Sequence, residues 1–338
     1  MPLDAATGRA LEIAAARLDA GALVAFPTET VYGLGADASD AAAVARIFAA
    51  KGRPGDHPLI VHLAIDADPL QWASDVPPLA RDLMRSFWPG PLTLIVPRRA
   101  GVGEAAAGGQ DSIGLRCPSH PVAQALLARF GRLRADRRGG SPIGIAGPSA
   151  NRFGHVSPSR ASHVLDEFAE ASLTDASAPI FVVDGGDCPV GIESTIVDCT
   201  RLATLGPVLL RPGSVTAAML AEVIGAMPAD ADRAAPRASG TLESHYAPVT
   251  PLRLVEASAL LDAPRDVVAW ILSMPVPPDR DGWASAPHDA SRYAHELYAT
   301  LRQLDARGAR AIWIERPPAT PAWAGVNDRL RRAASGTR

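Results

Sequence analysis

The sequence predicts an α/β fold in two unequal units, and three observations lead there. Short apolar, β-branched runs alternate with stretches of helical character, the pattern of a sheet covered by helices. At 228–250 the composition shifts to Ala, Pro, Asp and Arg (MPADADRAAPRASG, then SHYAP), as in a linker. A length of 338 residues with 47% hydrophobic content suffices for one large core and a smaller second one. The expected division is 1–226, a connecting segment at 227–250, and 251–338.

Taken in order, residues 7–20 read as a helix that Gly21 ends. ALVAF (22–26) is an apolar run halted by Pro27, hence a strand running into a loop. DAAAVARIFAAK (40–51) is helical, with Asp40 or Ser39 as N-cap. LIVHL (59–63), LTLIV (92–96), SIGLR (112–116), IGIAG (143–147), IFVVD (180–184) and STIVDC (194–199) have the length and composition of strands. Helices are predicted between them at 78–88, 120–130 and 159–168. Beyond the break, RLV (253–255), DVVAWIL (266–272) and ARAIWIE (309–315) are predicted strands. Residues 290–307 and 323–334 are predicted helices, and the Pro-rich 274–289 a loop.

Charged residues make up 20% and the net charge is −3, which argues against a general nucleic-acid coat but leaves room for a local basic cavity. Cys117, Cys188 and Cys199 have neither disulfide nor zinc spacing, as expected of a reducing compartment. The N-terminus lacks the basic start and apolar block of a signal peptide, and no apolar run is long enough to span a membrane. The cytoplasm is the expected location.

Five segments carry chemistry. FPTETVYGLGADA (26–38) follows a strand, a usual place for ligand-binding loops; it offers the hydroxyls of Thr28, Thr30 and Tyr32, and its Gly33 and Gly35 permit close backbone approach to a ligand. KGRPGDHPL (51–59) contains Lys51, the one lysine among 33 Lys and Arg residues. Lys51 and Arg53 either complement a helix C-terminus or hold phosphate oxygens; His57 and His62 follow. In SIGLRCPSHP, Arg116 ends an apolar strand and needs a partner, either a protein carboxylate or a ligand's. GPSANRFGHVSPSR (147–160) supplies Ser149, Asn151, Ser157 and Ser159, of which Ser157 or Ser159 could cap the next helix. DGGDCPVGIESTIVDC (184–199) and LLRPGSV (209–215) place Ser194 and Arg211 at strand ends. There is no GxxxxGK[ST] loop, no Ser–His–Asp signature and no HExxH, which leaves phosphate chemistry by positioning and charge.

In this order PTETVYGLG, KGRP…PL, WPGPLT, PSAN, EST and RPG closely resemble the threonylcarbamoyl-AMP synthase family, the Sua5/YrdC/YciO group. Continuation through SHYAP resembles its two-domain Sua5 form. The resemblance implies a twisted sheet with helices around a deep positive cavity, a linker over the cavity mouth, and a smaller Rossmann-like domain. It implies formation of L-threonylcarbamoyladenylate and pyrophosphate from L-threonine, bicarbonate and ATP, assisted by Mg²⁺ held mainly by the phosphates. The product would pass to a separate tRNA threonylcarbamoyl-transferase machinery making t6A. Carried over by motif, Thr30, His62, Arg116, Gly147 and Ser194 would hold L-threonine. Lys51, Arg53, His57, Ser112, Ser149, Asn151, Ser157, Arg211 and Tyr246 would serve ATP, with Lys51 and Arg53 as catalytic cations and Tyr246 as part of a lid. No side chain is expected to act as a covalent nucleophile. The chain departs from the family at His57, often Asn, and at the start of SGTLESHYAP, often of Pro-Gly-Met type. Weak RNA binding and carbamoyl transfer are the competing expectations.

Overall fold

The computed structural model describes residues 4–137, 142–169 and 179–336. Its larger sheet contains β1 (Val24–Phe26), β2 (Gly33–Asp37), β3 (Ile60–His62), β4 (Leu92–Pro97), β5 (Ser112–Arg116), β6 (Ile145–Ala146), β7 (Phe181–Val182), β8 (Thr195–Asp198), β9 (Val208–Arg211) and β10 (Ala229–Asp230). Their order is β10-β9-β8-β4-β5-β3-β6-β2-β1-β7, with parallel and antiparallel pairs mixed. The helices of this unit are α1 (Ala5–Asp19), α2 (Ala41–Lys51), α3 (Pro78–Phe87), α4 (Pro121–Arg137), α5 (Ala161–Phe168), α6 (Leu202–Leu205) and α7 (Ala217–Ile224). Asp40 caps α2 by accepting from the Ala42 and Ala43 amides, and Gly52 closes it in the left-handed region at φ 60°.

Strand alternation explains where the site lies. Side chains at i and i+2 share a sheet face. Val61, Leu92, Leu94, Val96, Ile113 and Leu115 belong to the main core together with Leu34, Ile47, Leu83 and Val164. The intervening residues, Ile60, His62, Thr93, Ile95, Ser112 and Arg116, therefore lie on the opposite face. That face is covered in part by the connecting segment: Ala235 and Ala238 pack with Ile60, Ile95, Ile196 and Leu210.

The second unit has β11 (Leu252–Val255), β12 (Val267–Ile271), β13 (Ala284–Ser285) and β14 (Ala311–Glu315), all parallel, in the order β11-β14-β12-β13. With them go α8 (Ala257–Leu260), α9 (Ala290–Asp305) and α10 (Ala324–Ser335). Its core of Tyr293, Leu297, Leu301, Ile312, Ile314 and Leu330 also takes in Val31, Val156 and Ile192 of the larger unit and Tyr246 of the connecting segment. The two units thus share one packed boundary.

Three expectations change. Residues 33–37, read as a glycine-containing loop, form β2, buried throughout. A Cβ on Gly35 would lie 2.8 Å from Phe26, so this glycine serves strand packing rather than ligand approach. The helix α7 and the two-residue strands β10 and β13 lie where no element was read, β10 inside the linker and β13 inside the Pro-rich loop. Strands of two residues carry no periodic signal, and β13 is anchored from next door by the Trp283 indole N–H donating to the Val267 carbonyl at 3.2 Å.

Candidate active site

Parallel pairing of β3 with β5 sets His62 opposite Arg116 at the strand ends. The Arg116 guanidinium is 4% exposed. It donates to Thr30 Oγ1 at 2.9 Å, to Glu29 Oε1 at 2.6 Å and to the Gly90 carbonyl at 3.3 Å. Its carboxylate partner within the chain is therefore Glu29, a residue the sequence reading did not single out. Of five N–H donors, two remain for a ligand. Thr28 Oγ1 donates to the Val31 carbonyl at 2.7 Å and so accepts from Thr30 at 2.8 Å, which aligns a relay Arg116–Thr30–Thr28.

His62 is neutral. Burial, then the neighbouring Arg116, lower its pKa to about 3. A carbonyl can only accept, so the His62 Nε2 that meets the Gly147 carbonyl at 3.1 Å carries the proton. Nδ1 is then a lone pair, buried and with no partner among the described residues. Gly147 must be glycine: a Cβ there would lie 2.6 Å from the His62 ring.

Arg211, at the end of β9, donates to the Ser194 carbonyl at 3.0 Å, to Ser194 Oγ at 3.1 Å and to the Ser239 carbonyl at 2.7 Å. Arg53 donates to the Pro58 carbonyl at 2.9 Å and to Ser239 Oγ at 3.4 Å, leaving its Nε without a partner among the described residues. Burial lowers the Arg53 pKa to about 10. Both arginines thus hold Ser239 of the connecting segment.

These groups line one cavity, shared by Thr30, Arg53, His62, Arg116, Gly147, Ser149, Ser194, Arg211 and Tyr246. It measures about 40 Å³, room for about three waters and far below the roughly 300–1,000 Å³ of small-molecule pockets. The connecting segment shuts it, because Ser239, Gly240, His245 and Tyr246 form part of the wall. Tyr246 is the one non-glycine residue with positive φ, 62°, among those described. Its hydroxyl is buried without a partner among the described residues, pressed close to Gly240.

Five expected site residues lie outside this wall. The Lys51 ammonium donates to the carbonyls of Ser149, at 2.6 Å, and of Asn151. It stands behind the PSAN loop and ties that loop to α2; burial, then Arg53, push its pKa well below the usual lysine value. The Asn151 side-chain NH2 is spent on the Arg152 and His155 carbonyls at 2.7 and 3.0 Å, while its Oδ1 is buried with no partner among the described residues. Ser157 donates to Glu193 Oε1 at 2.6 Å. His57 packs edge-on against Phe153, ring centres 5.4 Å apart. Ser112 opens β5, buried on the site's face of the sheet.

Glu193 is the largest omission. It lines the cavity and sits beside Ser194 in the EST motif. Burial acts to raise its pKa, but Arg329 and Arg211 outweigh it and hold the carboxyl at about 2.

Two family profiles match the chain: one described as "Telomere recombination" over residues 16–213, the other as "Threonylcarbamoyl-AMP synthase, C-terminal domain" over 215–335. The chain is 35% identical to a Pyrococcus abyssi threonylcarbamoyl-AMP synthase, covering 96% of this chain and 94% of that protein. It belongs to the threonylcarbamoyl-AMP synthase family, in its two-domain form. A Bacillus subtilis threonylcarbamoyl-AMP synthase is 36% identical, with 96% and 92% covered. The crystal structure of P. abyssi Sua5 complexed with L-threonine superposes with a TM-score of 0.83 at 33% identity, covering 96% of this chain and 94% of that one. Within the synthase family, the GIEST and SHYAP segments could have pointed to Glu193 and His245. Both stand directly beside site residues of the same motifs, Ser194 and Tyr246.

Proposed function

We propose that this synthase forms L-threonylcarbamoyladenylate and pyrophosphate from L-threonine, bicarbonate and ATP, for t6A modification of tRNA in the cytoplasm. The threonine nitrogen bonds to the carbon of bicarbonate, with loss of water, to give a carbamate. A carbamate oxygen then bonds to the α-phosphorus of ATP as the bond to pyrophosphate breaks. The observation that carries this reading is the convergence of Arg53, Arg116 and Arg211, from three separate segments, on an enclosure edged by Thr30, Ser149 and Ser194. Such a cage suits a polyanion together with a carboxylate.

In this reading Arg116 offers its two remaining N–H groups to the threonine carboxylate, next to Thr30, Gly147 and Ser194. The His62 lone pair accepts from the substrate amine or hydroxyl. Arg53 and Arg211 neutralise phosphate charge, and Ser149 donates to phosphate oxygens. Lys51 and Asn151 act by shaping the 149–151 loop, while His57, Ser112 and Ser157 would contact ATP once the connecting segment moves aside. Tyr246 closes over the nucleotide. Mg²⁺ would come with the phosphates: the cavity carboxylate Glu193 is committed to Arg329, and Glu29 to the cavity-lining Arg116, so these residues do not fit a resident ion. Pyrophosphate release is the test. It should require threonine, bicarbonate and ATP together, and release that ignores threonine would overturn the assignment.

A further inference from the structure

Helix α10 of the second unit presents one side to the cavity and to the segment that shuts it. Arg329, 1% exposed, is the centre of that side. Its Nε donates to Glu193 Oε2 at 2.8 Å, Nη2 to the Glu193 carbonyl at 3.0 Å and Nη1 to the Pro212 carbonyl at 2.8 Å. The guanidinium carbon also lies 5.5 Å from the centre of the Tyr246 ring, within cation–π range. One side chain therefore touches a cavity-wall carboxylate, the loop after Arg211, and the closing tyrosine.

Neighbouring positions on the same side complete a seat. The Arg332 carbonyl accepts from the His245 amide at 3.3 Å, and the Arg332 guanidinium donates to the Leu242 carbonyl. Just past the helix, a Cβ on Gly336 would come within 2.6 Å of Ala247. At its start, a Cβ on Gly325 would come within 3.2 Å of Gly213. From α9, the Tyr298 hydroxyl donates to Glu193 Oε2 at 2.8 Å, and its ring lies 5.7 Å from that of Tyr246. Glu193 is thus held by two residues of the second unit and one, Ser157, of the first.

We propose that Arg329 is a positioning residue: bound to Glu193 and stacked on Tyr246, it fixes the closed place of the connecting segment, so that the second unit sets ATP affinity without touching ATP. The proposal rests on the reading given under Proposed function. Its donors go to Glu193, to Pro212 and to its neighbour Asp328, while the face of the guanidinium covers Tyr246, so one group joins the cavity wall to the closing segment. A lysine there would keep the charge but lose the fork that joins Glu193 to Pro212.

The test uses the full chain with Arg329→Lys, Arg329→Gln, Glu193→Gln and the double variant Arg329→Gln/Glu193→Gln. Two measurements are made: the KM for ATP against kcat, from pyrophosphate release, and the rate of tryptic cleavage after Arg233 and Arg237 in the connecting segment. Expected for each single variant is a rise in KM for ATP of about tenfold, with kcat changed less than threefold, and cleavage about tenfold faster. The double variant should be no worse than the worse single one, because both act through one contact. Parental KM and parental cleavage in a folded Arg329 variant would overturn the proposal. If the Arg329 variants fail to fold, Tyr298→Phe removes one hydrogen bond to Glu193 and keeps the ring. It should raise KM for ATP about threefold, and no change in either measurement would overturn the proposal. Cleavage needs no turnover, so faster cleavage alongside a parent that releases no threonine-dependent pyrophosphate would support the seat and sink the assigned reaction instead.

Discussion

Glu29 meets the cavity-lining Arg116 at 2.6 Å, with side chains only 6% and 4% exposed. Taking one charge away strands the other in a dry place. Glu29→Gln should therefore cost about 3 kcal/mol of stability, read from denaturant midpoints. Arg116→Lys keeps the charge but cannot reach Thr30, Glu29 and a carboxylate together. It should raise the KM for threonine by about 10- to 100-fold and leave the KM for ATP nearly unchanged. Equal effects on both substrates would remove Arg116 from the threonine site.

Lys51 fills a buried slot behind the PSAN loop with a slim, mobile ammonium. Lys51→Arg inserts a rigid planar group into that slot, an overpacking worth about 1–3 kcal/mol. The Ser149 and Asn151 carbonyls would lose their common donor, and turnover should fall at least tenfold. Parental kcat in this variant would leave the lysine as a survivor of an arginine-rich composition.

At the closing segment, Gly240 has φ 70° and a Cβ there would lie 2.1 Å from the Tyr246 hydroxyl. Gly240→Ala should keep the cavity from shutting and raise the KM for ATP about tenfold while the larger unit stays folded. Tyr246→Phe separates two roles. It removes a hydroxyl buried without a partner among the described residues, which should raise stability by about 1 kcal/mol. If that hydroxyl meets the nucleotide, ATP binding weakens in the same variant; a parental KM would show that only the ring matters.

Acid should loosen the protein well before its carboxylates protonate. Burial holds His62 and His245 at about 3 in the folded state. The unfolded chain takes up these protons near pH 6.5, so below that pH it binds more protons than the native state. Stability therefore falls as pH drops from about 6.5 toward 3, by roughly 1.4 kcal/mol per pH unit for each histidine. Urea midpoints between pH 7 and 4 give the slope, and His245→Asn should remove its share. A flat profile over that range would mean that both rings are solvated.

Both sheets were legible in the sequence because most of their strands are apolar runs bounded by Pro, Gly or charge. β2 was not, because its glycines signal a turn unless Phe26, packed against them, is already in view. The cations were legible by their places beside Gly, Ser and Thr at element ends. Their partners were not. Arg116 could have been answered by a ligand or by the protein, and only folding brings Glu29 to it across 87 residues. Glu193 and Arg329 are 136 residues apart, beyond the reach of any local pattern. Lys51 was conspicuous by count, yet which way its ammonium points depends on two backbone carbonyls about a hundred residues further on.

The shut enclosure, at about 40 Å³, has no room for the adenylate it is proposed to make. Substrates must therefore be aboard before the strap is seated, and each product must unseat it to depart. The frequency of that unseating is then a ceiling on throughput, however fast the bond-making itself. In the proposed reaction, a seated strap would also limit the access of bulk water to the carbamate and to the carbamoyl phosphate formed from it.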